Sequence, residues 1–142
     1  MDSKDAIALL RNADPIVWLV TAQSGPRKGG LVATWVHETS LDNEKPRLLV
    51  GLAPHHNTTE LVLERGRLVL HQISPPDMEE YWSFCTKKGR EFDKFADLQH
   101  RKDPFGLPRL EPCNGYLSCK VMATKDTGDR VYLWCDVEAG EK

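Results

Sequence analysis

The densest group of chemistry-bearing side chains is the segment HHNTTE, residues 55–60, where the sequence pattern predicts the start of a helix. The first turn of a helix carries unpaired backbone N–H groups and the positive end of the helix dipole. Imidazole and hydroxyl donors beside that turn suit a phosphate. The alternative is a helix cap without a ligand, because Asn57 and Glu60 have the spacing of a capping box. The residues alone leave both interpretations open.

A second candidate site is the segment GGLVATWVHETS, residues 29–40, which follows a turn rich in Gly and Pro and is predicted to form one strand. The small side chains of Ala33 and Thr34 leave room for a flat ring to approach the backbone, whose N–H and C=O groups can match the edge of a heterocycle. Trp35 can stack on such a ring or wall it in. In the alternative interpretation, Trp35 is a core aromatic residue and Thr34 an ordinary strand threonine.

The histidines do not form a recognisable metal motif, because neither the H-x-x-x-H nor the H-E-x-x-H spacing occurs. Neighbouring strands can still bring several potential ligands together, namely His37, Glu38, His55, His56 and His71. The sequence also lacks the P-loop, G-x-G-x-x-G and G-x-S-x-G motifs. We therefore predict no metal site and no nucleoside-triphosphate chemistry, and we assign no side chain as an obligatory catalytic acid, base or nucleophile.

Length and composition favour a single domain, residues 1–142, with a core of its own. With 19 basic and 21 acidic residues and no long block of either sign, the chain lacks the basic face of a nucleic-acid-binding protein. Its apolar runs fall far short of the roughly 20 residues that span a membrane, and its acidic start lacks the positive region of a signal peptide. The cysteines lack a C-x-x-C pair and are interpreted as reduced thiols, which predicts a cytoplasmic location. They are Cys85, Cys113, Cys119 and Cys135.

The succession of elements predicts a mainly β fold. Strands are expected over 15–23, 30–40, 47–53, 67–73, 116–126 and 130–138. Helices are expected over 2–14, 57–66, 75–89 and 91–97, with an excursion over the surface at 99–115. Because strands and helices do not alternate as βαβ units, we expect an antiparallel barrel or sandwich with helical excursions.

Taken in order, these segments resemble the flavin reductase-like domain, an FMN-binding antiparallel split β-barrel. The family pattern has a V-V-T-T strand, a G-x-T-A-S/N strand, a distal Ser, a Pro before the third strand and a Thr that opens a short helix. The matching residues are Thr21, Gly30, Ala33, Thr34, Ser40, Pro46 and Thr58. GREFDKFA is similar to the D-K-F segment of the family and TGDRVYLWCDVE to its G-D-H ending. The resemblance covers nearly the whole chain.

This resemblance implies a bound FMN. It places the isoalloxazine ring against Ala33, Thr34, Trp35 and Val36. It places the phosphate at His56, Asn57, Thr58 and Thr59. It also implies a homodimer with the flavin close to the subunit interface, and hydride transfer from NAD(P)H to N5 of the flavin. We therefore expect an NAD(P)H-dependent flavin reductase.

Four positions depart from the family pattern. Val32 stands where Thr is frequent, His56 where Ser or Thr is usual, and His71 where Asn is usual. Arg130 replaces the His of G-D-H, which is associated with the nicotinamide side of the reductases. An arginine cannot act as a near-neutral acid or base, although it can bind a phosphate or a carboxylate.

Two alternatives to a reductase follow from these departures. One is an FMN-binding electron-transfer protein similar to the flavoredoxins, which receives electrons from a partner protein. The other is a barrel without a cofactor that serves as a binding module. The chain also stops where family members usually continue with another strand, so we expect a C-terminal element to be missing from residues 1–142.

Overall fold

A curled antiparallel sheet dominates the computed structural model, which describes residues 3–81, 93–96, 98, 100–111 and 113–142. The elements are α1 (Ser3–Leu10), β1 (Trp18–Ser24), β2 (Arg27–Ala33), β3 (Val36–Glu38), β4 (Arg47–Leu52), α2 (Asn57–Arg65), β5 (Arg67–Gln72), a 3-10 helix (Pro75–Tyr81), β6 (His100–Lys102), β7 (Pro108–Leu110), β8 (Gly115–Asp126) and β9 (Val131–Glu141). The predicted mainly β antiparallel barrel is confirmed. No helix in the described part of the chain is both long and apolar enough to cross a membrane.

The order of the strands forces the sheet to close on itself. Seven strands lie in the order β2-β1-β5-β8-β9-β4-β3, so β2 and β3 occupy opposite ends although only Thr34 and Trp35 separate them in the chain. The outer strands of a flat sheet of this size would lie about 29 Å apart. The chain from Ala33 to Val36 can reach at most about 10 Å. The sheet must therefore curl until its two ends nearly meet, as in a split barrel.

The predicted single strand over 30–40 is wrong in this respect. β2 ends at Ala33 and pairs with β1, whereas β3 begins at Val36 and pairs with β4. Both halves have strand-like residues, and the pattern does not reveal that they belong to different ends of one sheet. The Thr34–Trp35 crossover, the two residues between β2 and β3, is the point of closure.

Alternate residues of the strands fill the interior of the barrel, as the two-residue period of a strand requires. The largest buried cluster contains Val20, Ala22, Leu31, Ala33, Leu48, Val50, Leu52, Leu68, Leu70, Cys119, Val131, Leu133 and Cys135 from the strands, with Leu61 and Val62 from α2. Burying one such aliphatic side chain contributes roughly 1.5–3 kcal/mol. The amphipathic helix predicted from residue 57 therefore belongs to the core.

The outer face of β1 and β5 is also covered. Leu19 packs with Tyr81, Phe95 and Leu110 in one cluster, and Val69 packs with Leu107 and Tyr116 in another. Each of these clusters joins a central strand to the segments between β5 and β8. The sheet thus has apolar side chains on both faces at its centre.

The predicted surface excursion at 99–115 is only partly correct. Its described residues form a two-stranded sheet of β6 and β7, and Leu107 and Leu110 are buried. Asp103 fixes the turn between the strands, because its Oδ1 accepts hydrogen bonds from the backbone N–H groups of Phe105 and Leu107. Its Oδ2 accepts a hydrogen bond of 2.6 Å from the hydroxyl of Ser118 on β8. The sequence shows three prolines in this segment. It does not show that the Asp103 side chain holds the turn and joins it to β8.

Two predicted helices have other outcomes. Of the helix predicted over 75–89, the described part is a 3-10 helix that ends at Tyr81, and residues 82–89 lie outside the described residues. Of the helix predicted over 91–97, residues 93–96 form a turn, and the others lie outside the described residues. Helix α1 is confirmed, but its apolar residues Ile7, Leu9 and Leu10 are 46%, 70% and 80% exposed.

His71 links three strands through its imidazole. Its Nδ1 lies 3.1 Å from the backbone oxygen of Leu19 on β1, and its Nε2 accepts a 3.0 Å hydrogen bond from the N–H of Leu110 on β7. Because the Leu110 N–H can only donate, Nε2 carries no proton and Nδ1 is the donor. Burial of the ring lowers the pKa of His71 from 6.5 to about 4.

This pKa shift predicts acid destabilisation. The contribution of neutral His71 is complete above pH 6.5 and is lost as the pH falls toward 4, because the unfolded state then binds one more proton. The expected loss is about 3 kcal/mol in the free energy of unfolding, measured by urea denaturation across this range. His71→Asn cannot titrate and should show a flatter pH dependence, whereas exposed His37→Gln should behave like the parent protein. An unchanged pH dependence in His71→Asn would contradict the assignment.

Candidate functional site

An open cleft of about 440 Å³ lies at the Thr34–Trp35 crossover. It is lined by Leu31, Val32, Ala33, Thr34, Trp35, Gly51, Leu52, Ala53, His56 and Arg130. These residues come from the end of β2 and the crossover, the end of β4, the residue before α2, and the residue before β9. The volume falls in the range of about 300–1,000 Å³ that is typical of small-molecule sites.

Trp35 forms one wall of the cleft and is held by β4. Its backbone oxygen accepts a 2.8 Å hydrogen bond from the N–H of Gly51. A Cβ atom at Gly51 would come within 3.2 Å of both the Trp35 Cε3 atom and the Tyr132 Cε1 atom. The absence of a side chain at Gly51 therefore lets the indole ring lie close to the sheet, although it remains 43% exposed.

Arg130 is distant from Trp35 in the sequence but lines the same cleft. Its guanidinium carbon lies 4.5 Å from the centroid of the Trp35 ring, a cation–π contact. The turn before β9 fixes its backbone, because the Arg130 oxygen accepts a 3.0 Å hydrogen bond from the N–H of Thr127. In the sequence, Arg130 is a departure from the family pattern. The fold places it at this cleft.

His56, rather than Asn57, caps helix α2. The ring Nδ1 of His56 accepts a 3.1 Å hydrogen bond from the N–H of Thr58, and Gly66 closes the helix with φ 74°. Asn57 is the first helical residue, and its Oδ1 accepts a 3.1 Å hydrogen bond from Arg27. The predicted capping box of Asn57 and Glu60 is therefore wrong. The Asn57 side chain is hydrogen-bonded to Arg27 from β2, and the imidazole of His56 caps the helix instead. The predicted end at Gly66 is confirmed.

The two threonines of the first helical turn are buried. Among the described residues, the Thr58 hydroxyl has no hydrogen-bond partner, and it packs against Gly29, where a Cβ atom would lie 2.8 Å from Thr58 Oγ1. The Thr59 hydroxyl donates a 2.8 Å hydrogen bond to the backbone oxygen of Ala53. Thr58 is 0% and Thr59 is 1% exposed, so both hydroxyls lie beneath the surface of the helix start.

The cleft gathers half of the predicted site residues. Ala33, Thr34, Trp35 and His56 line it, whereas Val36, Asn57, Thr58 and Thr59 do not. Val36 pairs with Val50 in the sheet beyond the crossover, and the last three belong to the buried first turn of α2. The roles predicted for all eight residues stay predictions.

Sequence reasoning missed the wall formed by the end of β4. Gly51, Leu52 and Ala53 line the cleft because β4 and the crossover are neighbours in the curled sheet. The run GLA at the end of β4 contains two small residues, a signal of close approach by another group. Nothing in the sequence pairs this run with Trp35.

The described lining of the cleft contains positive charge but no negative charge. It contains two basic residues, His56 and Arg130, and no carboxylate. An apolar wall, an exposed indole face and a guanidinium together favour a ligand that is planar in one part and anionic in another. The described residues contain no group of three or more His, Cys, Asp and Glu that could hold a metal ion.

The buried cysteines lie away from this chemistry. Cys119 and Cys135 belong to the barrel core, and burial raises the pKa of both thiols. A thiol with a raised pKa is a poor nucleophile at neutral pH. They are free thiols, as the sequence predicted, and so is Cys113, whereas Cys85 lies outside the described residues.

The close approach at Gly51 makes a stability prediction. Gly51→Ala inserts a methyl group between two aromatic rings and should lower the free energy of unfolding by about 1–3 kcal/mol, measured by urea denaturation. The same substitution in a Trp35→Phe background should cost less, because the smaller ring leaves more room. Equal losses in both backgrounds would show that the Trp35 contact is not the cause.

Comparison with known proteins gives relatives of the same fold and of greater length. Diflavin flavoprotein A 1 from Synechocystis is 25% identical over 125 residues, which cover 87% of this chain and 22% of that protein. An FMN-binding protein from Thermus thermophilus superposes with a TM-score of 0.84 at 20% identity, over 93% of this chain and 72% of that one. An NADH:FAD oxidoreductase from Streptomyces globisporus superposes with a TM-score of 0.84 at 17% identity, over 100% and 86%.

The chain spans about a fifth of the length of the diflavin flavoproteins that it matches. The family model that matches it is the Flavin reductase like domain, and the match covers residues 10–142. That match contains every strand of the curled sheet and every residue that lines the cleft. The chain therefore belongs to the flavin reductase-like domain family, which supports a flavin-related oxidoreductase role.

Proposed function

We propose that this domain binds FMN in the cleft at the Thr34–Trp35 crossover and acts as an NAD(P)H-dependent flavin reductase, as a homodimer in the cytoplasm. One observation carries the proposal: the closure of the barrel brings a strand edge, an indole wall and two basic side chains to one cleft of suitable volume. The family of the domain makes a flavin the fitting occupant.

The lining fits the ring system of a flavin. Ala33, Gly51 and Ala53 are small and leave the backbone accessible at the end of β2 and β4. The N–H and C=O groups of a strand end can pair with the heteroatoms along one edge of a flat ring. Trp35 supplies an aromatic wall, so that the ring is held between backbone and indole.

The phosphate of FMN fits the basic end of the same cleft. His56 lies at the start of α2, where the helix dipole and the first-turn N–H groups favour an anion. The buried Thr58 hydroxyl next to it has no hydrogen-bond partner in the part of the chain that the structure describes, and a buried hydroxyl without a partner is costly. We propose His56 and the first turn of α2 as the phosphate site, with the roles of Asn57, Thr58 and Thr59 as the sequence predicted.

The side chains of this domain bind and orient rather than transfer protons. When bound, a flavin supplies the acceptor atom for a hydride. The residues of the crossover fix the ring, and Trp35 limits the access of water. Arg130 adds positive charge to the cleft, whereas His56, whose Nδ1 accepts a hydrogen bond, is a neutral imidazole that can donate from Nε2. No described residue of the lining is needed as an acid or base in this scheme.

A second candidate function is electron transfer without NAD(P)H. Arg130 lies over Trp35 at the position where the family pattern has the His that is associated with the nicotinamide side. A fixed guanidinium there can hinder the approach of a nicotinamide ring. In that case the bound FMN receives its electrons from a partner protein.

Spectroscopy and turnover separate these functions. We expect the purified protein to show flavin absorption bands or to quench FMN fluorescence at micromolar concentration, and to oxidise NADH or NADPH when FMN is added. Protein loaded with FMN but without turnover would favour electron transfer. A colourless protein that does not bind FMN would contradict both flavin-dependent functions and would favour a binding module without a cofactor.

A variant with a filled cleft tests whether FMN binds there, and a matched variant outside the cleft is its control. Ala53→Phe places a large side chain on the cleft wall and should weaken FMN by about tenfold or more. Leu63→Phe enlarges an exposed apolar residue of α2 that does not line the cleft, and FMN should bind as in the parent protein. Equal FMN affinity in both variants would place the flavin elsewhere.

The buried hydroxyl of Thr58 gives a separate prediction. Thr58→Val keeps the shape and removes an unpaired polar atom, so the free energy of unfolding should stay the same or rise by up to about 1 kcal/mol in urea denaturation. If the hydroxyl also reaches the phosphate, FMN affinity falls by about tenfold while riboflavin affinity is unchanged. A clear loss of stability would show that Thr58 has a hydrogen-bond partner in solution.

A further inference from the structure

Arg130 contributes a guanidinium to the lining of the cleft. The polar contacts of this guanidinium in the described part of the chain are the Trp35 ring and a long 3.5 Å approach to the backbone oxygen of Asp129. By contrast, Arg47, Arg67 and Arg109 each pair with a carboxylate at 2.7–3.1 Å. Within the described residues, Arg130 forms no ion pair.

The carboxylates nearest to Arg130 in sequence are engaged in the turn before β9. Asp126 Oδ1 accepts a 2.7 Å hydrogen bond from the N–H of Gly128. Asp129 Oδ1 accepts a 3.2 Å hydrogen bond from the hydroxyl of Thr127. These bonds hold the turn, and neither carboxylate forms an ion pair with Arg130 in the part of the chain that the structure describes.

The position of the guanidinium is nevertheless well defined. The Thr127 turn fixes the backbone of Arg130, and the Trp35 ring lies against its side chain at 4.5 Å. Trp35 is itself held by Gly51 of β4. A guanidinium that is stacked on an aromatic face keeps its planar N–H fork available, and that fork matches two oxygen atoms of a phosphate.

We propose that Arg130, stacked on Trp35, contributes a phosphate-binding subsite to the cleft, either together with the helix start at His56 for the single phosphate of FMN or apart from it for the phosphate of a dinucleotide. The proposal rests on the proposed function for the identity of the ligand, because FMN and the nicotinamide dinucleotides all carry phosphate. The phosphate belongs either to the flavin or to the dinucleotide that approaches it. In either case Arg130 contributes binding energy and selects a phosphorylated ligand.

The first test uses inorganic pyrophosphate on protein without flavin, so that it does not depend on the proposed function. Pyrophosphate should change the tryptophan fluorescence of the parent protein in a saturable manner, and Trp35→Phe should lose this signal. Arg130→Gln should weaken pyrophosphate binding by about tenfold. The affinity of Arg130→Lys should lie between those of the parent protein and Arg130→Gln, because lysine keeps the charge without the planar N–H fork. Arg101→Gln removes an exposed charge outside the cleft lining and should bind like the parent protein.

The second test identifies the source of the phosphate. If Arg130→Gln weakens FMN by about tenfold and leaves riboflavin unchanged, the phosphate is that of the flavin. If FMN and riboflavin bind as before but NADH or NADPH binds about tenfold more weakly, it is that of the dinucleotide. Both results support the subsite.

Other outcomes overturn the subsite or the function separately. If Arg130→Gln binds pyrophosphate, FMN and the dinucleotides as tightly as Arg101→Gln does, the subsite is wrong, whether or not the domain is a reductase. If the parent protein binds pyrophosphate through Arg130 but binds no flavin, the proposed function is wrong and the subsite stands.

Discussion

The two-residue crossover from β2 to β3 is the constraint on which the rest of this structure depends. Thr34 and Trp35 join strands at opposite ends of a seven-stranded sheet, so the sheet has to curl until those ends approach each other. The same closure brings Gly51 of β4 beside Trp35 and creates the cleft between them. Fold and site therefore have one physical origin, the short reach of the chain at this point.

Polar contacts in the interior hold the outer segments on the curled sheet. His71 connects β1, β5 and β7, and Asp103 connects the β6–β7 turn to β8. Both side chains are buried with their hydrogen-bonding atoms paired, which makes each of them costly to replace by a group of different shape. These contacts position the covering segments without contributing any group to the cleft.

The arginines at the start of β2 and at the cleft have different roles. Arg27 is committed to the start of α2, where it pairs with Asn57 and lies 3.8 Å from Glu64. Arg130 has no carboxylate partner in the described part of the chain and faces the cleft beside an aromatic ring. The distinction between structural and ligand-directed arginines follows from their partners and cannot be read from residue type.

Most of the strands, the helix from residue 57 to Gly66, the closing hairpin of β8 and β9, and the family could be predicted from the sequence. These features depend on local periodicity, turn residues and ordered short motifs. Four features follow from the tertiary structure: 30–40 is divided, His56 caps α2, the Thr58 hydroxyl is buried against Gly29, and Gly51 and Arg130 share a cleft with Trp35. Apart from the local cap at His56, they depend on residues far apart in the chain, whose proximity is set by strand order and barrel closure. A sequence pattern describes which face a residue occupies, and the curled sheet decides what lies opposite that face.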